Sequence, residues 1–597
     1  MRKLSSVWMP TALALVMMFA NGMVQGASAS AVRLNGAQGV LLTSAASTAT
    51  PIKHVIVIIG ENHSFDNVFG AFQPKNGQTI FNLLSEGIIT GSGGFGPHVG
   101  LAAQQQATDT TTFSLTPEKT GPYTTLPQPN TTYATGQPPN VPDPRFPADL
   151  PNGPYQITHY VPYLDSFVGD PLHRFYQMWQ EQDGGKHDLY TWVHETAGDD
   201  NGAIPPKPIY QGALDMGYYN MNAGDAPNFQ FIGDTYAMSD NYHQSVMGGT
   251  GANHIMLGTG DMAYYADAQG NPVTPPSNQI ENPNPKPGTN NNYTQDGYSG
   301  GSYSDCADPQ QPGVGPILDY LHSLPYKPFR NGDCAPGAYY LLNNYLPGYT
   351  PSGQLTTGTP FVVPPQTLPT IANSLSAHHI SWKYYGQGLN AGTDPPFCGI
   401  CDPFQYVTSI MTTSLRNNIQ DFQQFPQDVE HNTLPAVSFI KPDDQINDGH
   451  PAYSSLSFFE VFASDVVNDV ISHPKVFKDT AIFITFDESG GYYDSGYIQP
   501  LTFFGDGPRV PLMVVSPYTR HGYIDHTYYD HASILKFIEH NWHLSPLSRR
   551  SLDNLPNPKA GADNPYVPTN SPAIGDLMNF FDFSHPRTDT PLLPYAG

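Results

Sequence analysis

The chain has 597 residues, of which 39% are hydrophobic and only 13% charged, with a formal net charge of −26. The apolar share is enough for a sizeable core, as one large domain or several smaller ones. The acidity excludes a partner met through a basic face, so no nucleic acid is expected, and an anionic substrate would need positive potential built locally, which a divalent cation supplies most economically.

Residues 1–29 read as a signal peptide. Arg2-Lys3 precede the apolar run from Ala12 to Ala20, and Ala27-Ser28-Ala29 supply a small-residue cleavage site. The absence of a twin arginine predicts Sec-type export and a secreted or periplasmic protein. No later stretch reads as a transmembrane segment. Residues 30–50 read as a linker and 51–597 as one domain. Export favours two disulfides among Cys306, Cys334, Cys398 and Cys401 over a zinc site. Cys306–Cys334 with Cys398–Cys401 has the shortest loops of the three pairings, and spacing alone does not decide among them.

The core pattern opens at Ile52. Val55-Ile56-Val57-Ile58-Ile59 is a continuous β-branched run, as expected of a strand buried on both faces of a parallel sheet. It stops at Gly60, and Glu61-Asn62 follow. Residues 91–154 and 263–315 lack periodicity and read as loop-rich insertions. Helical character returns between Leu172 and Trp192. Helix is then predicted over Ile371–His378, Ser457–Ile471 and Tyr529–Trp542. Strands are predicted over Ile380–Tyr385, Leu434–Ile440, Ala481–Phe486 and Arg509–Val515. This alternation predicts an α/β fold, a mostly parallel central sheet flanked by helices on both faces.

The run Ala481–Phe486 ends directly in Asp487-Glu488. In open α/β sheets ligands bind outside the carboxyl ends of the strands. Two buried strands, each ending in two oxygen-bearing side chains, predict one hard-cation site made by Glu61, Asn62, Asp487 and Glu488, for Mg, Ca, Mn or Zn. Thr250 lies among Gly248, Gly249 and Gly251 at a predicted helix start. A hydroxyl there meets free backbone N–H groups suited to phosphate, and beside a cation it becomes a nucleophile. Among 21 histidines, His173, His187, His254, His450 and His526 stand out by context. Asp525-His526 and Asp530-His531 could pair for a serine hydrolase, but no G-x-S-x-G elbow accompanies them.

The segment Glu61-Asn62-His63-Ser64-Phe65-Asp66-Asn67-Val68-Phe69-Gly70 resembles the opening motif of the bacterial phosphoesterase family. That family includes acid phosphatases and phosphatidylcholine-type phospholipases C, within the alkaline-phosphatase-like superfamily. Further matching blocks are His173 with Gly184-Gly185-Lys186, Gly248-Gly249-Thr250 with Asn253, Gly449-His450-Pro451, Phe486 to Asp494, Arg509 to Pro517, and Asp525-His526-Thr527 with Ser533 to Glu539. They run in family order from about residue 51 to 545. The resemblance implies that Glu61, Asn62, Asp487, Glu488 and Thr250 hold one divalent metal ion, with Thr250 also the nucleophile. It implies that His173, His450 and His526 line the phosphate pocket, and that Asn253 and Lys186 bind substrate. His63, Asn67 and Ser495 depart from the phospholipase C pattern and lean toward the acid-phosphatase branch. The expected substrate is a small phosphate ester. A phospholipid headgroup is the alternative, and a secreted non-catalytic binding protein is the alternative from another class.

Overall fold

A computed structural model describes residues 47–594 except 76, 109–110, 132–140, 166–168, 198–209, 289, 292–299, 391–396 and 452–453. The expected signal peptide and most of the linker therefore lie outside the described residues.

The described chain is built on an eight-stranded sheet. Its strands are β1 (His54–Gly60), β2 (Ala237–Ser239), β3 (Trp382–Gly386), β4 (Ile419–Asp421), β5 (Val437–Lys441), β6 (Thr480–Phe486), β7 (Leu512–Val515) and β8 (Tyr523–Asp525). Their spatial order is β4-β3-β5-β1-β6-β7-β2-β8. All neighbours are parallel except those of β7, which runs antiparallel to β6 and β2. The sheet is thus mainly parallel, as the alternating pattern predicts. Strand β7 begins only after Pro511, because proline has no N–H for a ladder.

β1 is central because its side chains can only be buried. Val55, Ile56, Val57 and Ile58 are fully buried, each contributing about 1.5–3 kcal/mol relative to exposure. The framing helices are α1 (Phe65–Phe69), α2 (Phe175–Glu181), α3 (Tyr190–Thr196), α4 (Pro227–Thr235), α5 (Thr250–Thr259), α6 (Ile371–Ala377), α7 (Leu456–Ile471) and α8 (Ala532–Trp542). Side chains alternate faces along a strand, so Phe483 and Phe486 of β6 point oppositely. Phe483 packs on Phe537 of α8, and Phe486 packs on Phe229 of α4 and Phe459 of α7. Helices therefore cover both faces.

Three edge or near-edge strands, β2, β4 and β8, carry no signal in the sequence, being three residues each. Residues 529–530, predicted as the start of α8, instead form a short bridge to Tyr242-His243. Among its described residues, the insertion at 91–154 contains strands of two to four residues and one 3-10 turn (Val99–Ala102). It is less superficial than its composition suggests, since Phe113, Leu115, Leu126, Phe146 and Leu150 join the main core. Both shortest-loop disulfides are formed, Cys306–Cys334 and Cys398–Cys401.

Candidate active site

Register makes the site. Gly60 of β1 sits opposite Phe486 of β6, and Ile58 opposite Ile440 of β5. The residues that follow, Glu61-Asn62 and Asp487-Glu488, and the last residue of β5, Lys441, therefore emerge together at one edge. Asn62 turns the chain with φ 63°, a left-handed conformation uncommon for a side chain with a Cβ. Gly490 (φ 62°) lies against it, and a Cβ there would meet Asn62 Cβ at 2.6 Å. Backbone held in this region is found where function demands it.

Thr250 is the first residue of α5. Its Oγ1 lies 3.2 Å from Glu488 Oε1 and 3.5 Å from Glu61 Oε2. The loop that delivers it is packed too tightly for side chains, since a Cβ on Gly248 would come within 1.9 Å of Leu342 O. The buried Asn253 amide braces that loop: its Oδ1 accepts from Val246 N–H (3.0 Å), and its Nδ2 donates to Gly248 O (2.7 Å). One expectation needs correcting. Two N–H groups of the first turn are not open to phosphate, because Gly251 N–H donates to Asn344 Oδ1 (2.6 Å) and Ala252 N–H to Asn343 O (3.1 Å).

Two histidines present one ring nitrogen each. His173 and His450 anchor Nδ1 on the carbonyls of Pro171 (2.6 Å) and Pro451 (2.7 Å). Their Nε2 atoms stand 3.3 and 3.2 Å from Asn62 Nδ2. His173 Nε2 is also 3.6 Å from Glu488 Oε1.

Lys441 and His531 come to the site from outside the predicted ligand and catalytic residues, and His254, one of the histidines that stood out by context, joins them. Lys441 Nζ, buried, lies 3.3 Å from Glu61 Oε1 and 3.0 Å from Asp448 Oδ2. His254 Nε2 is 3.0 Å from Glu61 Oε1, one helical turn beyond Thr250, and that spacing was the available signal. His531 Nε2 lies 2.5 Å from the Asp487 carbonyl, with Nδ1 2.9 Å from Tyr242 Oη. Three candidates stand elsewhere. His526 contacts Asp240, Thr79 and Tyr566. Lys186 is exposed and pairs with Asp183 at 3.1 Å. Asn253 spends its amide on the loop.

The electrostatics explain what the cluster can hold. Burial opposes the charge of Glu61, but Lys441 and His254 outweigh it and hold its carboxyl well below the usual range. Burial, then Glu61 and Glu488, push Asp487 well above it. Burial opposes protonation of His450, yet Asp170, Asp448 and Glu61 raise it above the ordinary histidine value. Asn62 Oδ1 and Asp487 Oδ2 are buried with no hydrogen-bond partner among the described residues, a costly state for either atom. An oxygen-rich donor set with orphaned acceptors fits a hard cation. Ligand atoms of Glu61, His254 and Cys401 also lie within 4.8 Å of one another. Cys401 is half of a disulfide and offers no thiolate, so the carboxylate side of the cluster is the better seat.

The sequence model of the Phosphoesterase family matches residues 52–545. The chain belongs to that family and is a phosphoric ester hydrolase. It is 28% identical to a non-hemolytic phospholipase C of Burkholderia pseudomallei over 275 residues, 38% of this chain and 37% of that relative. It is 23% identical to phospholipase C A of Mycobacterium tuberculosis over 573 residues, 91% of this chain and 79% of the relative. An acid phosphatase of Aspergillus niger is 29% identical over 196 residues, 31% of this chain and 44% of that enzyme. No helix among the described residues is long and apolar enough to cross a membrane.

Proposed function

We propose that the protein is an exported, metal-dependent hydrolase of phosphomonoesters that works through a phosphorylated Thr250. The observation that carries the reading is the Thr250 hydroxyl, 3.2 and 3.5 Å from carboxylates of two different strand tips. Glu61, Asn62, Thr250, Asp487 and Glu488 would hold one divalent cation, which would supply Lewis-acid stabilisation of phosphoryl charge. Donors at the tips of parallel strands support an alkaline-phosphatase-like arrangement.

The chain's own groups have separable tasks. Glu488 is placed to take the Thr250 proton as Oγ1 attacks phosphorus. His450, favoured in its protonated form, offers Nε2–H to the leaving alkoxide. His173, with Nδ1–H committed to Pro171 O, keeps Nε2 as an acceptor for the water that releases phosphate. Asn62 Nδ2 donates to the unprotonated His173 Nε2 at 3.3 Å and so fixes that ring.

Thr250→Ala should lower turnover of 4-nitrophenyl phosphate by about 10³-fold or more while leaving the circular dichroism and melting transition unchanged. Near-normal turnover would remove Thr250 from the role. A second reading, cleavage of phospholipid headgroups, is favoured by the phospholipase C A match across 91% of this chain. Relative kcat/KM on a phosphomonoester and on phosphatidylcholine separates the two.

A further inference from the structure

His526 was expected at the phosphate pocket, but β8, which it follows, lies three strands from β6, about 14 Å at normal strand spacing. There it forms its own constellation. Asp240 follows β2 and is fully buried. Its Oδ2 accepts from Phe81 N–H (2.8 Å) and Tyr566 Oη–H (3.0 Å), leaving Oδ1 for His526 Nδ1 at 2.8 Å. Tyr566 Oη also stands 3.1 Å from that nitrogen. The other ring nitrogen, Nε2, lies 3.0 Å from Thr79 Oγ1. Thr79 is exposed, and the His526 side chain is 22% exposed. A buried carboxylate that orients an imidazole, which in turn accepts from a hydroxyl, is the arrangement that activates hydroxyl nucleophiles. Thr79 also lines a cleft of ≈ 440 Å³ whose walls include Phe72, Pro74, Ile80 and Leu84.

We infer that Thr79, His526 and Asp240 form a second, esterolytic centre for carboxylic esters with a short apolar acyl chain. Thr79 Oγ bonds to the carbonyl carbon while His526 Nε2 takes its proton. The ester C–O bond then breaks, and the alcohol leaves with that proton. Water, deprotonated by the same nitrogen, attacks the acyl-Thr79, and the carboxylic acid departs as the threonine hydroxyl is restored. Asp240 holds Nδ1–H and offsets the transient imidazolium charge. The cleft seats the acyl chain. This centre shares no residue with the Glu61 cluster.

The test uses the full chain with 4-nitrophenyl butyrate. The wild type should release 4-nitrophenolate, and trapped early samples should carry one butyryl group on the peptide containing Thr79. Thr79→Val and His526→Gln should each lose about 100-fold or more of this activity. Thr79→Ser should keep it, and Thr79→Val should hydrolyse phosphomonoesters normally. Since Thr79 is exposed, its variants test the centre even if His526→Gln folds poorly. Ester release by Thr79→Val at the wild-type rate, or wild-type release no faster than in buffer, would overturn the inference.

Discussion

Arg509 is the buried cation whose removal the structure prices most directly. It sits at the entrance to β7 with both carboxylate oxygens of Asp494 on its Nε and Nη2, at 2.9 and 3.0 Å. Asp66 Oδ2 lies 3.1 Å from Nη2, and the carbonyls of Phe81 and Asp240 accept from Nη1 at 2.6 and 2.9 Å. The guanidinium carbon stands 4.6 Å from the Phe65 ring centroid and 5.4 Å from that of Phe81. It thus ties α1 and the loop after Glu488 to the sheet. Arg509→Met leaves two buried carboxylates without their cation, a loss of about 3–5 kcal/mol. The lost cation–π contacts add about 1 kcal/mol. The penalty has a sign in pH. Burial already raises Asp66, to about 6, against the pull of Arg509, while in Asp494 the guanidinium outweighs burial and holds the carboxyl low. Without Arg509 both folded values move up. A raised carboxyl contributes stability that is lost as pH rises through its folded value. The gap between wild type and variant should therefore be larger at pH 8 than at pH 5, read as urea midpoints. A gap under about 1 kcal/mol, or one that widens toward pH 5, would refute the reasoning.

The wild type should itself show a pH optimum of stability. Burial is the leading cause that pushes Asp402, Glu460 and Asp530 up to about 7 and Glu181 to about 8, so the folded chain keeps protons that the unfolded chain releases above about pH 4, and stability falls as pH rises from 6.5 to 8. Burial also holds His243 and His531 down to about 3, and His63 and His187 to about 4, so the unfolded chain gains protons below about 6.5. The carboxyl and histidine contributions offset one another between about pH 4.5 and 6.5, and an unfolding midpoint that climbs from pH 6.5 to 8.5 would contradict the assignment. Asn253→Ala should lower kcat through a loosened Thr250 loop while leaving product-phosphate affinity near normal. Loss of phosphate affinity at unchanged kcat would return Asn253 to substrate binding.

Much of this architecture was legible because the core strands are extreme. A run such as Val55–Ile59 has no other stable place than the middle of a two-faced sheet, and oxygen donors that directly follow two such runs must meet if the strands pair in parallel. What the sequence left obscure depends on partners far along the chain. Lys441 is the last residue of a strand predicted to end at Ile440, so its side chain fell one position outside the element that aims it at Glu61. The two Asp-His doublets at 525 and 530 are equivalent as text. Only the second abuts α8, whose start places His531 under Asp487, while the first trails an edge strand three residues long. Asn253 looked like a donor to substrate because nothing in the sequence shows that Gly248 and Gly249 turn their carbonyls back onto it.

The cluster itself makes a demand that a purely structural arrangement would not. Glu61, Asp487 and Glu488 crowd one buried edge where Lys441 and His254 are the cationic or near-neutral company of Glu61, and burial with two like charges drives Asp487 far above its ordinary value. Such crowding lowers the stability of the metal-free protein and is retained where function requires it. Asp487→Asn keeps the acceptor that Asn62 N–H uses (3.3 Å to Oδ1) and removes the cost of holding that carboxyl protonated in the fold, a cost the unfolded chain does not bear. In protein dialysed against chelator, this variant should therefore unfold at a higher temperature than wild type, with a gain of about 1–2 kcal/mol. On adding a divalent cation the order should reverse, because wild type gains a ligand that the variant binds weakly, and elemental analysis should find the metal only in wild type. If the chelated variant melts below the chelated wild type, the three carboxyls stabilise one another through contacts other than a shared cation, and the metal reading of this edge fails.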